Sequence, residues 1–96
     1  MTTFAVTAVR WADDNITHVL MGEVVKSGTV FKAEPVERPV IDAVDRLRRG
    51  DTVVLSFPGA LPGPGLRVVV APNGDEGIET LPFELPNKTL RDLPTF

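Results

Sequence analysis

The first part of the chain alternates apolar and polar residues in the pattern of β-strands. In residues 4–11 the even-numbered apolar side chains fall on one face, and the odd-numbered residues, ending at Trp11, fall on the other. Residues 16–21 repeat this period. The segment 12–15 between the two runs carries aspartate and asparagine, which favour turns and tolerate left-handed backbone. The pattern therefore predicts a β-hairpin over residues 4–21.

The period changes to that of an α-helix between residues 40 and 50. The apolar stripe at helical spacing consists of Val40, Ile41, Val44 and Leu47. Pro39 suits the first helical position, where its missing N–H is not needed, and Gly50 suits a left-handed stop. Two pairs of opposite charge lie at i,i+4 in the order that the helix dipole favours, Asp42 with Arg46 and Asp45 with Arg49.

Four further short runs predict strands, at residues 29–33, 52–57, 66–71 and 76–81. Strands 52–57 and 66–71 are expected to pair antiparallel because they are neighbours in sequence. Asn73-Gly74 is typical of a type I′ turn and would join the last two strands as a hairpin. The order β-β-β-α-β-β-β predicts an α+β fold, a small antiparallel sheet of about five to six strands with one helix packed on one face.

The 96 residues are expected to form a single domain, residues 1–96. The tail, residues 84–96, contains prolines and the apolar residues Leu85, Leu90, Leu93 and Phe96. Because exposed apolar surface of this kind is unfavourable in water, the tail is expected to dock on the core. The alternative is that it binds another chain, a second copy of the protein included.

Several short motifs resemble those of a known family. The chain opens with Phe-x-Val-Thr-Ala-Val-Arg, continues with Ile-Thr-His-Val after the turn, and ends its helix in Arg-Arg-Gly. Ile-Glu-Thr-Leu-Pro and Leu-Arg-Asp-Leu-Pro follow near the end. Over residues 4–21 and 40–94 the chain resembles a family of small bacterial domains of unknown function, in which a β-hairpin, a helix and further strands precede a terminal Leu-x-x-Leu-Pro. The resemblance implies an α+β fold and no catalytic residue.

Composition narrows the functional classes. The sequence has no cysteine, which excludes disulfides, thiolate metal sites and a cysteine nucleophile, and which favours the cytoplasm. A net charge of −3 at pH 7 disfavours general binding to nucleic acid. No apolar run approaches the roughly 18 residues that span a membrane, and the first residues lack the features of a secretory signal. The expected protein is soluble and makes no membrane contact.

His18 is the only histidine, and a catalytic role for this chain would depend on it. On the predicted strand His18 shares a face with Ile16 and Leu20. Neither Ser27 nor Ser56 lies in a Gly-x-Ser-x-Gly motif. No phosphate-binding glycine motif or set of metal ligands is present. An enzyme that uses His18 is therefore a disfavoured alternative, and neither a metal nor a cofactor is expected.

Residues 57–65, FPGALPGPG, raise the question of a binding loop, because three prolines and three glycines separate two predicted strands. The segment carries no charge after Phe57, so it would bind by shape or apolar contact, as proline-rich segments do, unless it is only a spacer. The candidate partner contacts in this segment and elsewhere are Leu61, Pro62, Pro64, Trp11, Leu90 and Leu93.

Arg46, Arg48 and Arg49 form the main basic cluster. On a helix Arg46 and Arg49 share one face, which would suit a nucleic acid or another polyanion, although Asp42 and Asp45 lie beside them. The sequence favours a non-catalytic interaction module with a protein partner over this polyanion contact. Both a monomer and a homodimer fit, because a sheet this small exposes strand edges.

Overall fold

Seven strands, one helix and a short 3₁₀ turn make up the fold in the ranges that the structure, a computed structural model, describes. These ranges are residues 2–13, 15–25, 30–57, 63–81 and 89–96. In chain order the elements are β1 (Thr3–Ala12), β2 (Asn15–Val25), β3 (Val30–Phe31), β4 (Val36–Pro39), α1 (Val40–Arg48), β5 (Thr52–Leu55), β6 (Leu66–Val70), β7 (Glu76–Thr80) and the 3₁₀ turn (Leu90–Asp92). The predicted α+β class is confirmed, with one more strand ahead of the helix than expected.

The strands form two sheets. The larger has the order β3-β2-β1-β5, with β4 also paired to β2, and β6 and β7 form a separate antiparallel pair. β5 runs parallel to β1, so the expected all-antiparallel sheet is wrong here. The expected pairing of β5 with β6 is also wrong, since the two segments meet in an isolated bridge between Val54 and Gly65. The cause is α1, which crosses from β4 to the opposite edge of the sheet, as parallel pairing requires.

The edge of β1 that faces away from β2 is shared by two segments. β5 covers the first half, from Thr3 to Val6. The tail covers Val9, whose N–H donates to the carbonyl of Pro94 at 3.0 Å and whose carbonyl accepts from the N–H of Phe96 at 3.2 Å. β1 is therefore a central strand whose two neighbours on this side come from distant parts of the sequence.

A β-bulge decides which side chains of β1 face the core. The register with β2 shifts between Val6 and Ala8, which makes Thr7 the extra residue. Val6 and Val9, three residues apart, consequently belong to the same core cluster. The even–odd alternation predicted for residues 4–11 is therefore wrong beyond Thr7, because a bulge reverses the faces of the residues that follow it.

A second register shift lies near the turn between β1 and β2 and leaves Thr17 unpaired. Ile16 consequently packs on the same core cluster as Val19. The predicted shared face of Ile16 and His18 is wrong for this reason. The same shift pairs Trp11 with Ile16, so both side chains lie at one end of the core.

β4 is a strand that the sequence does not reveal. It pairs antiparallel with residues 18–21 of β2, and all four of its residues are exposed. An edge strand without a buried face shows no alternation of apolar and polar residues, which explains why the pattern misses it. Of the strand predicted at 29–33, the structure describes residues 30–33, and Val30–Phe31 form β3.

The helix ends where its glycine predicts. Gly50 has a φ of +88°, the left-handed conformation expected for it. Its N–H donates to the carbonyl of Leu47 at 3.1 Å, and the N–H of Asp51 donates to the carbonyl of Arg46 at 3.0 Å, which is the Schellman pattern. At the other end Pro39 is the N-cap rather than the first helical residue, because it still belongs to β4.

The predicted hairpin of β6 and β7 is present, but its turn is not type I′. Gly74 has a φ of +93°, whereas Asn73 lacks the positive φ that a type I′ turn also needs. The N–H of Gly74 donates to the carbonyl of Ala71, and the N–H of Ala71 donates to that of Asp75, each at 2.8 Å. This is a type I turn with Pro72 in its second position, followed by a left-handed glycine.

The main hydrophobic core lies on one face of the larger sheet, beneath α1, the β6–β7 hairpin and the tail. Its buried residues are Val6, Val9, Val19, Met21, Ala43, Val44, Val53, Leu55, Phe57, Leu66, Ile78, Leu90 and Leu93. A smaller cluster covers the other face of the sheet and consists of Ala5, Val24 and Val54, with Phe31 packed against it. The described part of the tail therefore contributes to the main core through two leucines.

Gly22 allows the connection between β3 and β4 to fold over the smaller cluster. A Cβ atom at Gly22 would lie 3.2 Å from Cδ1 of Phe31 and 3.2 Å from Cα of Pro35. These distances are shorter than ordinary van der Waals contacts between carbon atoms. The missing side chain therefore permits the close approach of the two backbones.

Candidate binding cleft

An open cleft of about 950 Å³ lies beside β7, at the end of the molecule where α1 begins. Besides β7 it is lined by the end of the β1–β2 hairpin, the start of α1 and the 3₁₀ turn, with side chains that include Trp11, Ile16, Ile41, Val70 and Arg91. Its volume falls near the upper end of the range of about 300–1,000 Å³ in which proteins bind ligands. The cleft is larger than the groove beside Arg46.

Two of the most exposed large apolar side chains line this cleft. Ile41 is 46% exposed and Val70 is 60% exposed. Ile41 lies in the first turn of α1, ahead of the level at which Val44 is buried. Val70 is the last residue of β6, beyond Val68, which packs on the core. Single exposed apolar residues are ordinary, but two that line one cleft form a surface that an apolar partner would cover.

Sequence reasoning missed both of these residues. Ile41 belongs to the apolar stripe predicted for the helix, and Val70 belongs to the strand predicted at residues 66–71. The available signal was position, since Ile41 is only the second residue of the helix and Val70 directly precedes the turn at Ala71. Residues at the ends of elements extend past the neighbours that bury the middle of those elements.

Trp11 forms part of the wall and is held in place by the tail. Its ring is half-buried and packs on the core cluster, and the guanidinium carbon of Arg91 lies 4.9 Å from the ring centroid. This distance is within the range of a cation–π interaction. A capping box fixes the 3₁₀ turn that carries Arg91, because Asp92 Oδ2 accepts from the N–H and the hydroxyl of Thr89, each at 2.9 Å. The 3₁₀ turn therefore positions the guanidinium of Arg91 against the Trp11 ring.

β7 lines the cleft with its edge. Every residue from 75 to 80 contributes to the lining. Because successive side chains of a strand point to opposite faces, a sheet face would contribute only alternate residues. The unbroken series indicates that backbone groups of β7 contribute to the wall, and residues 69–71 extend the lining around the turn.

Carboxylates outnumber cations on the cleft walls. Asp75, Glu76 and Glu79 line the cleft with Arg91, which gives a charge of −2 among the described lining residues. Two of the carboxylates pair with arginines outside the cleft, Glu76 with Arg48 and Glu79 with Arg67. Asp75 instead accepts a hydrogen bond from Asn73 Nδ2 at 3.1 Å. Among the described residues, Asp75 is thus the lining carboxylate without a cationic partner.

A second groove, of about 440 Å³, contains the predicted basic surface. Its charged lining residues are Arg38, Arg46, Arg49, Glu23, Glu34, Asp42 and Asp45. The four carboxylates outnumber the three guanidinium groups, so this surface does not offer the positive charge that a polyanion needs. Arg48 lies elsewhere, against Glu76.

Arg46 is engaged by neighbours within the fold. Its Nη1 lies 3.8 Å from Oδ2 of Asp51, and its guanidinium carbon lies 4.8 Å from the ring centroid of Phe4. Its partner is therefore Asp51 rather than the predicted Asp42, because the Schellman turn brings Asp51 back over the end of the helix. Neither Asp42–Arg46 nor Asp45–Arg49 is among the ion pairs of the described residues.

The other predicted contact residues differ in their positions. Leu90 and Leu93 are buried in the main core, and Pro64 is fully buried beside β5. Leu93 and Pro64 therefore support the fold. Leu90 supports it as well, but it also lines the cleft, as the predicted contact residue Trp11 does. Leu61 and Pro62 lie outside the described residues, so their predicted contact stays a prediction.

His18 lies outside the cleft. Its ring is half-buried, and its Nδ1 is 3.1 Å from the hydroxyl of Thr17. In the part of the chain that the structure describes, no group of three or more potential metal ligands is present. The described ranges also contain no helix that is long and apolar enough to cross a membrane.

No family model, curated protein sequence or solved structure matches this chain. The resemblance to small bacterial domains therefore stays a prediction.

Proposed function

We propose that this protein is a non-catalytic binding module that recognises another protein through the cleft beside β7. The observation that carries the proposal is the exposure of Ile41 and Val70 within one cleft that Trp11 also lines. Covering apolar surface is the main driving force of protein association, and aromatic residues are frequent centres of such contacts. His18 contributes no side chain to the cleft, so the proposal assigns binding to the cleft and no reaction.

The composition supports a cytoplasmic setting for this interaction. The chain has no cysteine, a usage typical of proteins that work in a reducing compartment. Its net charge of −3 gives no general attraction to nucleic acid. A protein segment with apolar side chains is the partner class that matches the cleft walls.

Selection from a library of short random peptides displayed on phage tests the proposal. The protein is immobilised, and the recovered peptides are then measured individually against the variants Ile41→Glu and Val70→Glu. Each variant is expected to weaken binding by about tenfold or more, because it places a carboxylate where an apolar side chain must be buried. Both positions are exposed, so the fold is expected to tolerate the change.

Val30→Glu is the matched control. Val30 is 43% exposed, close to the exposure of Ile41, but it lies in β3 and does not line the cleft. Peptides that bind the cleft retain their affinity for this variant. Recovered peptides that bind all variants equally, or a selection that enriches none, would contradict the proposal.

A further inference from the structure

We infer that the cleft accepts an extended peptide, which adds to the edge of β7 as a further strand and places a basic residue against Asp75. This inference rests on the proposed function and specifies the backbone geometry and chemistry of the partner. Strand addition is a recurring mode of peptide recognition, in which backbone hydrogen bonds supply affinity and side chains supply specificity.

The hydrogen bonds of the hairpin show which backbone groups of β7 face the cleft. The N–H of Leu81 donates to the carbonyl of Gly65 at 2.9 Å, and at the turn the N–H of Ala71 donates to the carbonyl of Asp75 at 2.8 Å. Residues 65 and 81, and residues 71 and 75, are therefore hydrogen-bonded pairs of the antiparallel ladder. Such pairs alternate with pairs that are not hydrogen-bonded.

Because hydrogen-bonded and non-hydrogen-bonded pairs alternate, the backbone groups of β7 that bond to β6 are those of Glu79 and Gly77. These residues lie opposite Arg67 and Val69 of β6. The N–H and carbonyl groups of Glu76, Ile78 and Thr80 consequently point away from β6, toward the cleft. Within the described residues, no backbone hydrogen bond involves these outward groups. They form a row spaced at every second residue, which is the repeat that an added antiparallel strand would match.

The ends of the cleft differ, and this difference gives the peptide a preferred composition. At the turn end Asp75 has no cationic partner among the described residues, so a lysine or arginine of the peptide would complement it. At the other end the N–H of Leu90 donates to the hydroxyl of Thr80 at 3.1 Å. The 3₁₀ turn therefore marks the end of the row of outward backbone groups on β7. Exposed Val70 lies near the turn end, opposite Glu76, and exposed Ile41 lies in the first turn of α1, so both favour apolar side chains in the peptide.

A single extended segment fits this edge better than a second copy of the protein. β7 is the wall of a cleft rather than a projecting strand, so two β7 edges could meet only after the other walls of both clefts had moved. The edge of β4 provides a contrast, because it is short and carries Glu37, Arg38 and Pro39, features that protect an edge from pairing. β7 also carries two glutamates, Glu76 and Glu79, but it contains no proline and has a glycine and an isoleucine between them.

Backbone methylation of the recovered phage peptides tests the added strand directly. Each peptide is synthesised with a single N-methyl group at successive positions, and binding is measured by fluorescence anisotropy. Methylation is expected to weaken binding by about two- to tenfold or more at alternate positions, where an amide N–H donates to β7, and to have little effect at the positions between them. Equal tolerance at every position, or sensitivity without a period of two, would overturn the inference.

Two variants of the protein provide the reciprocal test. Glu76→Pro removes an outward N–H at the first residue of β7, where proline is compatible with a strand, and Glu76→Ala removes the same side chain but keeps the N–H. The proline variant is expected to bind about two- to tenfold more weakly than the alanine variant. Equal binding by the two variants would contradict strand addition, and circular dichroism confirms that both remain folded.

Asp75→Asn tests the charge preference. The variant is expected to bind peptides with a terminal lysine, which would face Asp75, more weakly by up to about fivefold. Its affinity for matched peptides with glutamine at that position is expected to be unchanged. An equal effect on both peptides would overturn the basic preference.

The outcomes separate the inference from the proposed function. If Val70→Glu abolishes peptide binding but backbone methylation of the peptide does not weaken it, the cleft is still the binding site and the added strand is rejected. A dimer in sedimentation equilibrium that Val70→Glu dissociates would replace the peptide by a second copy and reject the inference.

Discussion

Leu93→Ala measures how much of the stability depends on the tail. Leu93 is 4% exposed and belongs to the main core with residues from β1, β2, α1 and the hairpin. Truncating a buried leucine to alanine typically costs about 2–5 kcal/mol, because the transfer free energy of the lost methyl groups adds to that of the cavity. A chain of 96 residues has a free energy of unfolding of roughly 5–14 kcal/mol. The change is therefore expected to remove a large fraction of the total stability.

Denaturation followed by tryptophan fluorescence is the appropriate assay, in urea for the free energy of unfolding and by heating for Tm. Trp11 is the single tryptophan of the chain, and its ring contacts the guanidinium of Arg91 in the tail, so its emission reports tail docking as well as global unfolding. For a domain of this size each kcal/mol shifts Tm by roughly 4–8 °C. The expected fall in Tm is therefore at least about 8–16 °C.

Phe96→Ala is the control for a nonspecific effect of changing the tail. Phe96 is 36% exposed, and its ring packs on the guanidinium of Arg10 with a carbon-to-centroid distance of 4.6 Å. Such an exposed cation–π contact contributes about 0.5–1 kcal/mol. If Leu93→Ala costs no more than Phe96→Ala, the tail does not contribute to the core and the assignment of Leu93 is refuted.

Two glycines give further predictions for the free energy of unfolding in urea. Gly50→Ala is expected to lower the free energy of unfolding by about 1–2 kcal/mol. The cost comes from the left-handed backbone alone, because a Cβ atom at Gly50 meets no atom within 4 Å, and Gly50→Asn is expected to recover part of the loss. Equal stability of the wild type and both variants would contradict the role of Gly50 in ending the helix. Gly22→Ala is expected to cost about 1–3 kcal/mol by crowding Phe31 and Pro35. Gly77→Ala is the control for Gly22→Ala, because a Cβ atom at Gly77 would lie 3.9 Å from the nearest atom, Cγ2 of Val69. A larger loss of stability in Gly77→Ala than in Gly22→Ala would contradict the crowding at Gly22.

The sequence predicts the local features of this fold well. The helix from 40 and its stop at Gly50 follow from an apolar period and a single glycine, both of which act within a few residues. The hairpin at 4–21 follows from alternation on either side of a turn, and the hairpin at 66–81 follows from the turn residues Asn73-Gly74 between two short runs. These signals succeed because the contacts that determine them are close in sequence.

The remaining errors have non-local causes. The parallel pairing of β5 with β1 depends on which strand reaches a free edge after α1 crosses the sheet, and no residue of β5 encodes that choice. The bulge at Thr7 depends on the register with β2, which a single strand does not reveal. The exposure of Ile41 and Val70 depends on how far neighbouring elements extend, so the cleft became visible only in three dimensions.

The shared edge of β1 has a consequence for the order in which the protein is made and folded. Val9 is fully buried and is synthesised long before Pro94 and Phe96, yet these two residues satisfy its backbone N–H and carbonyl. Buried backbone groups without partners cost about 1–3 kcal/mol each. A nascent chain that lacks residues 94–96 therefore carries an incomplete central strand. Folding to full stability must wait for these residues, and during synthesis the unpaired edge of β1 is open to pairing with other chains.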